Sequence, residues 1–309
     1  MKPVLLTGAT GFIGQRLQKA LLKGGKQVEA IVRPNSINKN VLPGVGILPA
    51  ELSDGERLES AISRACAVIY CAGSVRGRQL QDFTAANITG VRSVVESMNL
   101  AGGDTPLLLI SSLAASRPQI SDYSNSKYLG EQELISNANF PWTIFRPPAV
   151  YGPGDKEMLP ILKLARKGLV TPTGPEDQRL SLIHVDDVAS AMMTWLNAWD
   201  QCRSQIFTLH DGHSEGYSWK EIAEIASTGK YRRINIPTRL LTSLASLNLF
   251  FSGLLNYSPM LTPGKARELT QPHWVCNNKA LSSATGWTPQ ITLEQGLSEL
   301  FRPAEKNSV

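Results

Sequence analysis

Val4-Leu5-Leu6-Thr7-Gly8-Ala9-Thr10-Gly11-Phe12-Ile13-Gly14 is an uncharged apolar run that feeds a turn punctuated by three glycines. The run reads as a buried parallel strand. From Phe12 onward the apolar residues Phe12, Ile13, Leu17, Leu21 and Leu22 fall at helical spacing. Strand, glycine-rich turn and helix in this order form the phosphate cradle of dinucleotide-binding folds. Gly8 permits the tight turn, Gly11 lets the backbone approach a pyrophosphate, and Gly14 lets helix and strand pack closely. Thr10, Phe12 and Ile13 stand at the helix start, where unpaired N–H groups hold phosphate.

Working outward, Gln27 to Val32 reads as a second strand, stopped by Arg33-Pro34-Asn35-Ser36. In a dinucleotide fold the end of this strand meets the adenosine ribose, and an acid there selects NAD. Arg33 occupies that place, with no carboxylate after Glu29. A guanidinium can clamp a 2′-phosphate with two bonds, which points to NADP, with NAD as the alternative. Val45 to Leu48 and Ala67 to Cys71 are further strands. The second of these ends in Ala72-Gly73-Ser74, small residues that let a cofactor lie across the sheet edge. Asn87 falls inside the next helical stretch, where asparagine is a mediocre helix former.

Leu107 to Ile110 is the fifth strand, ending in Ser111-Ser112 and followed by Tyr123-Ser124-Asn125-Ser126-Lys127. Tyr123 and Lys127 are four apart, so on a helix they share a face. A positive charge beside a phenol lowers its pKa from about 10, bringing the tyrosine toward proton transfer near neutral pH.

Together these stretches resemble the extended short-chain dehydrogenases/reductases of the NAD(P)-dependent epimerase/dehydratase kind. The likeness extends through Asn87-Ile88-Thr89-Gly90, Arg146-Pro147-Pro148-Ala149-Val150-Tyr151-Gly152, Ile183-His184-Val185-Asp186-Asp187 and Gly286-Trp287-Thr288-Pro289, in family order along nearly the whole chain. The resemblance implies that Tyr123 transfers the proton and Ser112 hydrogen-bonds the substrate oxygen. It implies that Lys127 holds the cofactor ribose and tunes Tyr123, and that Asn87 supports a proton-relay water. Leu52 would lie near the adenine, and Pro147 and Val150 beside the nicotinamide. His184 to Asp187 would either contact substrate or cap a helix and brace the molecule. Two departures stand out: only ten residues separate Ser112 from Tyr123, and Glu51-Leu52 replaces the usual Asp-Leu.

The expected fold is therefore a Rossmann-type, doubly wound parallel α/β sheet with a smaller, mixed C-terminal substrate lobe. Residues 1–150 and 182–210 would form the nucleotide domain, and 151–181 with 211–309 the lobe. Leu240 to Leu255 is the most apolar stretch, with Leu240, Leu244, Leu247, Phe251, Leu254 and Leu255 at helical spacing. It is expected to face inward as a core helix of the lobe, a pocket wall or membrane-surface helix being the alternatives.

At 309 residues the chain can bury a sizeable core. A formal charge of +5 without a Lys/Arg block gives no nucleic-acid footprint. No stretch of about 18 or more residues is apolar enough to be a clear membrane span. Cys66, Cys71, Cys202 and Cys276 lack CxxC spacing, and the first strand begins next to Met1, so a cytoplasmic protein with reduced cysteines is expected. His184, His210, His213 and His273 show no metal spacing. The leading activity is an NADP-dependent oxidoreductase acting on a carbonyl or secondary alcohol of a small-molecule substrate. A nucleotide-sugar epimerase or dehydratase is the second reading, and a non-catalytic cofactor-binding subunit or sensor the third. A homodimer is compatible with all three.

Overall fold

The computed structural model describes residues 2–36 and 40–302. Seven parallel strands form the central sheet: β1 (Val4–Thr7), β2 (Val28–Val32), β3 (Gly46–Pro49), β4 (Ala67–Tyr70), β5 (Leu107–Ile110), β6 (Trp142–Arg146) and an edge strand, Gln205–Thr208. From edge to edge the order is Gln205–Thr208, β6, β5, β4, β1, β2, β3. The order reverses between β1 and β4, which opens a crevice at their carboxyl ends.

Both faces of this sheet are covered, which is why its strands read as continuous apolar runs. Alternation still shows in β1: Val4 and Leu6 join the core on one face, Leu5 the core on the other. Helix α1 (Phe12–Lys23) packs beside the helix Val185–Ala198 on the first face. Helices α2 (Gly55–Arg64), α4 (Gly90–Ala101) and α5 (Asp122–Asn137) cover the second. Short helix α3 (Gln81–Thr84) runs into α4 through a π turn, Ala85–Thr89, that contains Asn87. The stretch expected as one helix thus carries a widened turn of the kind often found at functional sites. A buried carboxylate, Glu131, accepts from the Arg146 guanidinium at 2.9 Å and ties α5 to β6.

After β6 the chain builds smaller sheets. Ala149–Tyr151 pairs with Leu182–His184, and Arg179–Leu180 pairs with Tyr217–Ser218 and His273–Trp274. These rest on a separate core that includes Tyr151, Leu162, Trp219 and Leu293. Residues 303–309 of the expected lobe lie outside the described residues.

One expectation fails here. The apolar stretch does form a helix, Thr238–Leu255, but it does not face inward. Only Leu241, Ala245 and Ser252 are buried, the first two in a small core with Ala266 on the helix Pro263–Leu269. Leu240, Leu244, Leu247, Phe251, Leu254 and Leu255 are all exposed. The lobe supplies one short helix against one face, too little surface to cover the other. By length and composition alone this helix is also just long and apolar enough to cross a membrane.

Candidate active site

Gly8 adopts φ +66°, and a Cβ placed on it would meet the backbone of Cys71 and Ala72 at 2.5 Å. Only glycine lets the β1 turn lie this close to the end of β4. A Cβ on Gly14 would sit 2.2 Å from the Gly8 carbonyl, so α1 and β1 approach through that residue. Gly11 is the N-cap of α1, and no side chain caps the helix start. The N–H groups of Phe12 and Ile13 are among the donors such a start leaves free.

This turn forms one wall of a groove of about 850 Å³ at the carboxyl ends of β1, β2 and β4. Of the residues expected to hold a cofactor, Gly8, Thr10, Gly11, Arg33, Leu52, Ala72 and Gly73 line it. Arg33 is exposed at the end of β2, with Ser36 beside it. Phe12 and Ile13 lie at the helix start, and the Ile13 side chain packs on the core. Pro147 and Val150 stand further along: the Pro147 carbonyl accepts from Leu113 N–H at 2.8 Å, and Val150 packs against the core. A groove walled by a glycine cradle and an uncapped helix start fits a dinucleotide.

Ser121 caps α5, accepting from Ser124 N–H, and places Tyr123 and Lys127 in its first turns. Lys127 is buried, donates to the Ile110 carbonyl at 2.8 Å, and lies near Gly73 of the groove. Burial pushes its ammonium down to about 8. Tyr123 lies beside Ser112, whose hydroxyl accepts from Ala114 N–H at 3.2 Å. Here the structure departs from expectation. Burial raises the Tyr123 phenol above its ordinary value, while the Ser112 hydroxyl pulls it the other way. Lys127 shares the helix face, and its ammonium is turned to the Ile110 carbonyl.

Tyr123 opens into a second, smaller cleft of about 150 Å³, lined also by Phe83, Leu249, Met260 and Lys265. The segment after β4 divides the two recesses: Gly73 and Ser74 line the groove, Val75 and Arg78 the cleft. Asn87 anchors that divider. Its Oδ1 accepts from Ser74 N–H at 3.0 Å, and its Nδ2 donates to the Ser74 carbonyl and to Ser126 Oγ of α5, each at 2.9 Å. Both amide hydrogens are engaged, so this side chain joins the divider to the helix that carries Tyr123 and Lys127.

The cleft holds residues that the sequence did not single out. Ser121 Oγ donates to Glu268, which pairs with Lys265 at 2.9 Å, and both charges act on Tyr123. They stand about 140 residues downstream in no motif, so only the folded chain brings them there. His184 to Asp187 brace the molecule: the His184 side chain caps a helix, and Asp187 accepts from Gln290 and Ile291 N–H. His184, Asp186 and Glu299 place possible ligand atoms within 4.8 Å of one another, with Asp186 paired to Arg16 at 3.5 Å.

Residues 4–208 match the NAD dependent epimerase/dehydratase family. A ceramide reductase of Caulobacter vibrioides is 33% identical over 278 residues, covering 88% of this chain and 85% of the relative. A 2-alkyl-3-oxoalkanoate reductase of Stenotrophomonas maltophilia is 25% identical, covering 96% of this chain and 98% of the relative. In fold, the chain superposes on the UDP-glucose 4-epimerase of Thermotoga maritima with TM-score 0.70 at 19% identity, over 96% of this chain and 97% of that one. The groove and its glycine turn fall inside the matched span, and the chain belongs to the NAD-dependent epimerase/dehydratase family, an NAD(P)-dependent enzyme of oxidoreductase or epimerase type.

Proposed function

We propose that the chain is an NADP-dependent reductase of a ketone carried on a long-chain, lipid-like molecule, with Tyr123, Ser112 and Lys127 as its working residues. The observation that carries this reading is the half-buried Tyr123 phenol, with Ser112 beside it, at the cleft next to the groove. Because burial holds its pKa above the ordinary value, Tyr123 remains protonated near neutral pH. That state suits a proton donor, and hence the reducing direction, better than a phenolate base. The two reductases among the relatives, named for ceramide and for an alkylated oxoalkanoate, support a lipid-like substrate. The apolar residues Phe83, Leu249 and Met260 around Tyr123 support it as well.

When bound, the nicotinamide supplies hydride to the carbonyl carbon. Tyr123 gives its proton to the carbonyl oxygen, Ser112 donates a hydrogen bond to that oxygen, and the phenol regains its proton from solvent. Lys127 spends one of three donors on Ile110 and has two for cofactor hydroxyls. Arg33 would meet a 2′-phosphate.

The test is absorbance of NADPH with a long-chain 3-oxo amide and, separately, with UDP-glucose. Net NADPH loss with the ketone supports the proposal, and sugar interconversion without cofactor loss would replace it with an epimerase. Tyr123→Phe should lower turnover by about 10² to 10⁴ while leaving cofactor affinity unchanged.

A further inference from the structure

We infer that the exposed face of the helix Thr238–Leu255 docks on an anionic membrane surface, lying in the headgroup layer. Leu240, Leu244, Leu247, Phe251 and Leu254 repeat at intervals of three and four along one stripe, flanked by Phe250. All six are between 44% and 67% exposed. Water-facing apolar stripes of this extent mark interaction sites.

Charge identifies the partner. From residue 225 to residue 267 the chain holds Lys230, Arg232, Arg233, Arg239, Lys265 and Arg267, and no Asp or Glu. The rest of the chain, with 25 Lys/Arg against 26 Asp/Glu, is slightly negative. Lys230, Arg232 and Arg239 are exposed. Lys265 pairs with Glu268 and Arg233 lies 3.9 Å from Glu176, which leaves Lys230, Arg232, Arg239 and Arg267 as the cations of a segment whose apolar stripe matches the acyl and headgroup layers of an anionic leaflet. A second copy fits poorly, because a two-fold contact through this face would bring two such positive segments together.

Geometry favours lying on the bilayer over crossing it. Eighteen residues at about 1.5 Å each span roughly 27 Å, at the lower end of what the ~30 Å hydrocarbon core requires. The adjoining face is fixed to the protein: Leu241 and Ala245 pack on Ala266, and Asn248 Nδ2 donates to the Leu261 carbonyl at 2.8 Å. Leu249 and Met260, on the helix and just beyond it, also line the Tyr123 cleft. Leu249 points to the opposite side of the helix from the stripe, so the helix itself stands between the docking face and the cleft. The docking face is a property of the surface and stands whatever reaction Tyr123 runs.

The experiment is co-sedimentation of the full chain with vesicles of phosphatidylcholine, alone or mixed with phosphatidylglycerol, without substrate or cofactor. Pelleting is expected with the anionic vesicles, weakening as salt rises. Leu247→Ser with Phe250→Ser and Leu254→Ser should reduce binding at least about tenfold, since each removes an apolar group that the lipid would bury. Arg232→Gln with Arg239→Gln should weaken it toward the phosphatidylcholine level. Melting curves show that each variant folds. Wild-type protein that stays in the supernatant with both vesicles overturns the inference. So does a concentration-dependent dimer that the three serines dissolve, which would make the stripe a contact between copies.

Discussion

Helices Phe12–Lys23 and Thr238–Leu255 carry leucines at the same three-and-four spacing and end in opposite surroundings. Leu17 and Leu21 of the first are fully buried between the sheet and the helix Val185–Ala198, whereas Leu247 and Leu254 of the second stand in solvent. The pattern states that one face is apolar and says nothing about what covers it. A seven-stranded sheet offers α1 a broad apolar floor, while the lobe offers Thr238–Leu255 a single seven-residue helix. Burial is a property of the partner as much as of the helix.

The sharpest way to break this contrast is to cut the same atoms from each. Leu17→Ala should cost about 2–5 kcal/mol, since the cavity lies in a close-packed core that can only partly collapse. Urea denaturation would measure it, and a loss below about 1 kcal/mol would mean that α1 rests on its sheet far more loosely than its burial indicates.

What the chain spells out locally it spells out well. Strand, turn and helix at residues 4 to 23 are contiguous, and the glycines report close approaches that the folded backbone contains. The order of motifs places Ser112, Tyr123 and Lys127 on adjoining elements. Three features were beyond such reading. The Tyr123 environment depends on Glu268 and Lys265, brought in by tertiary contact across about 140 residues. Lys127 turns toward Ile110 because β5 presents a carbonyl there, a choice that the spacing of four does not encode. The exposure of Leu240 to Leu255 depends on a lobe whose short strands carry little periodicity.

Charge divides the two regions as apolar surface does. In the cofactor half Arg33 is the one cation among the described residues that lines the groove, whereas the lobe spreads its cations over a surface. Arg33→Ala should weaken NADPH by roughly ten- to a hundredfold, the worth of one charge-assisted bond of about 1.5–3 kcal/mol, and NADH much less. Fluorescence titration of both cofactors checks this, and equal losses would remove Arg33 from phosphate recognition.

Lys127 tests the cofactor half against its own habit of keeping charges at the surface. The unfolded chain holds this proton up to about 10.5, the folded chain only up to about 8. Between these values the unfolded state binds more protons, so the Lys127 contribution to stability rises with pH, by at most about 1.4 kcal/mol per pH unit. The burial penalty is fully present below pH 8 and gone above 10.5. Melting wild type and Lys127→Met in parallel across this window isolates the effect. A difference between the two that does not change with pH would mean that the ammonium is better solvated than its position implies.

The smallest effect is the counterpart of the first prediction. Leu254→Ser removes a side chain that is 67% exposed, so folding gains little from its burial. The helix propensities of leucine and serine differ by a few tenths of a kcal/mol, which sets the scale of the change. The midpoint in urea should therefore move by no more than about 0.5 kcal/mol in equivalent stability, against several for Leu17→Ala. Solubility should rise, because an apolar group leaves the water-facing stripe. A loss of 2 kcal/mol or more would show that Leu254 is covered in solution, and the two helices would then differ less than their surroundings suggest.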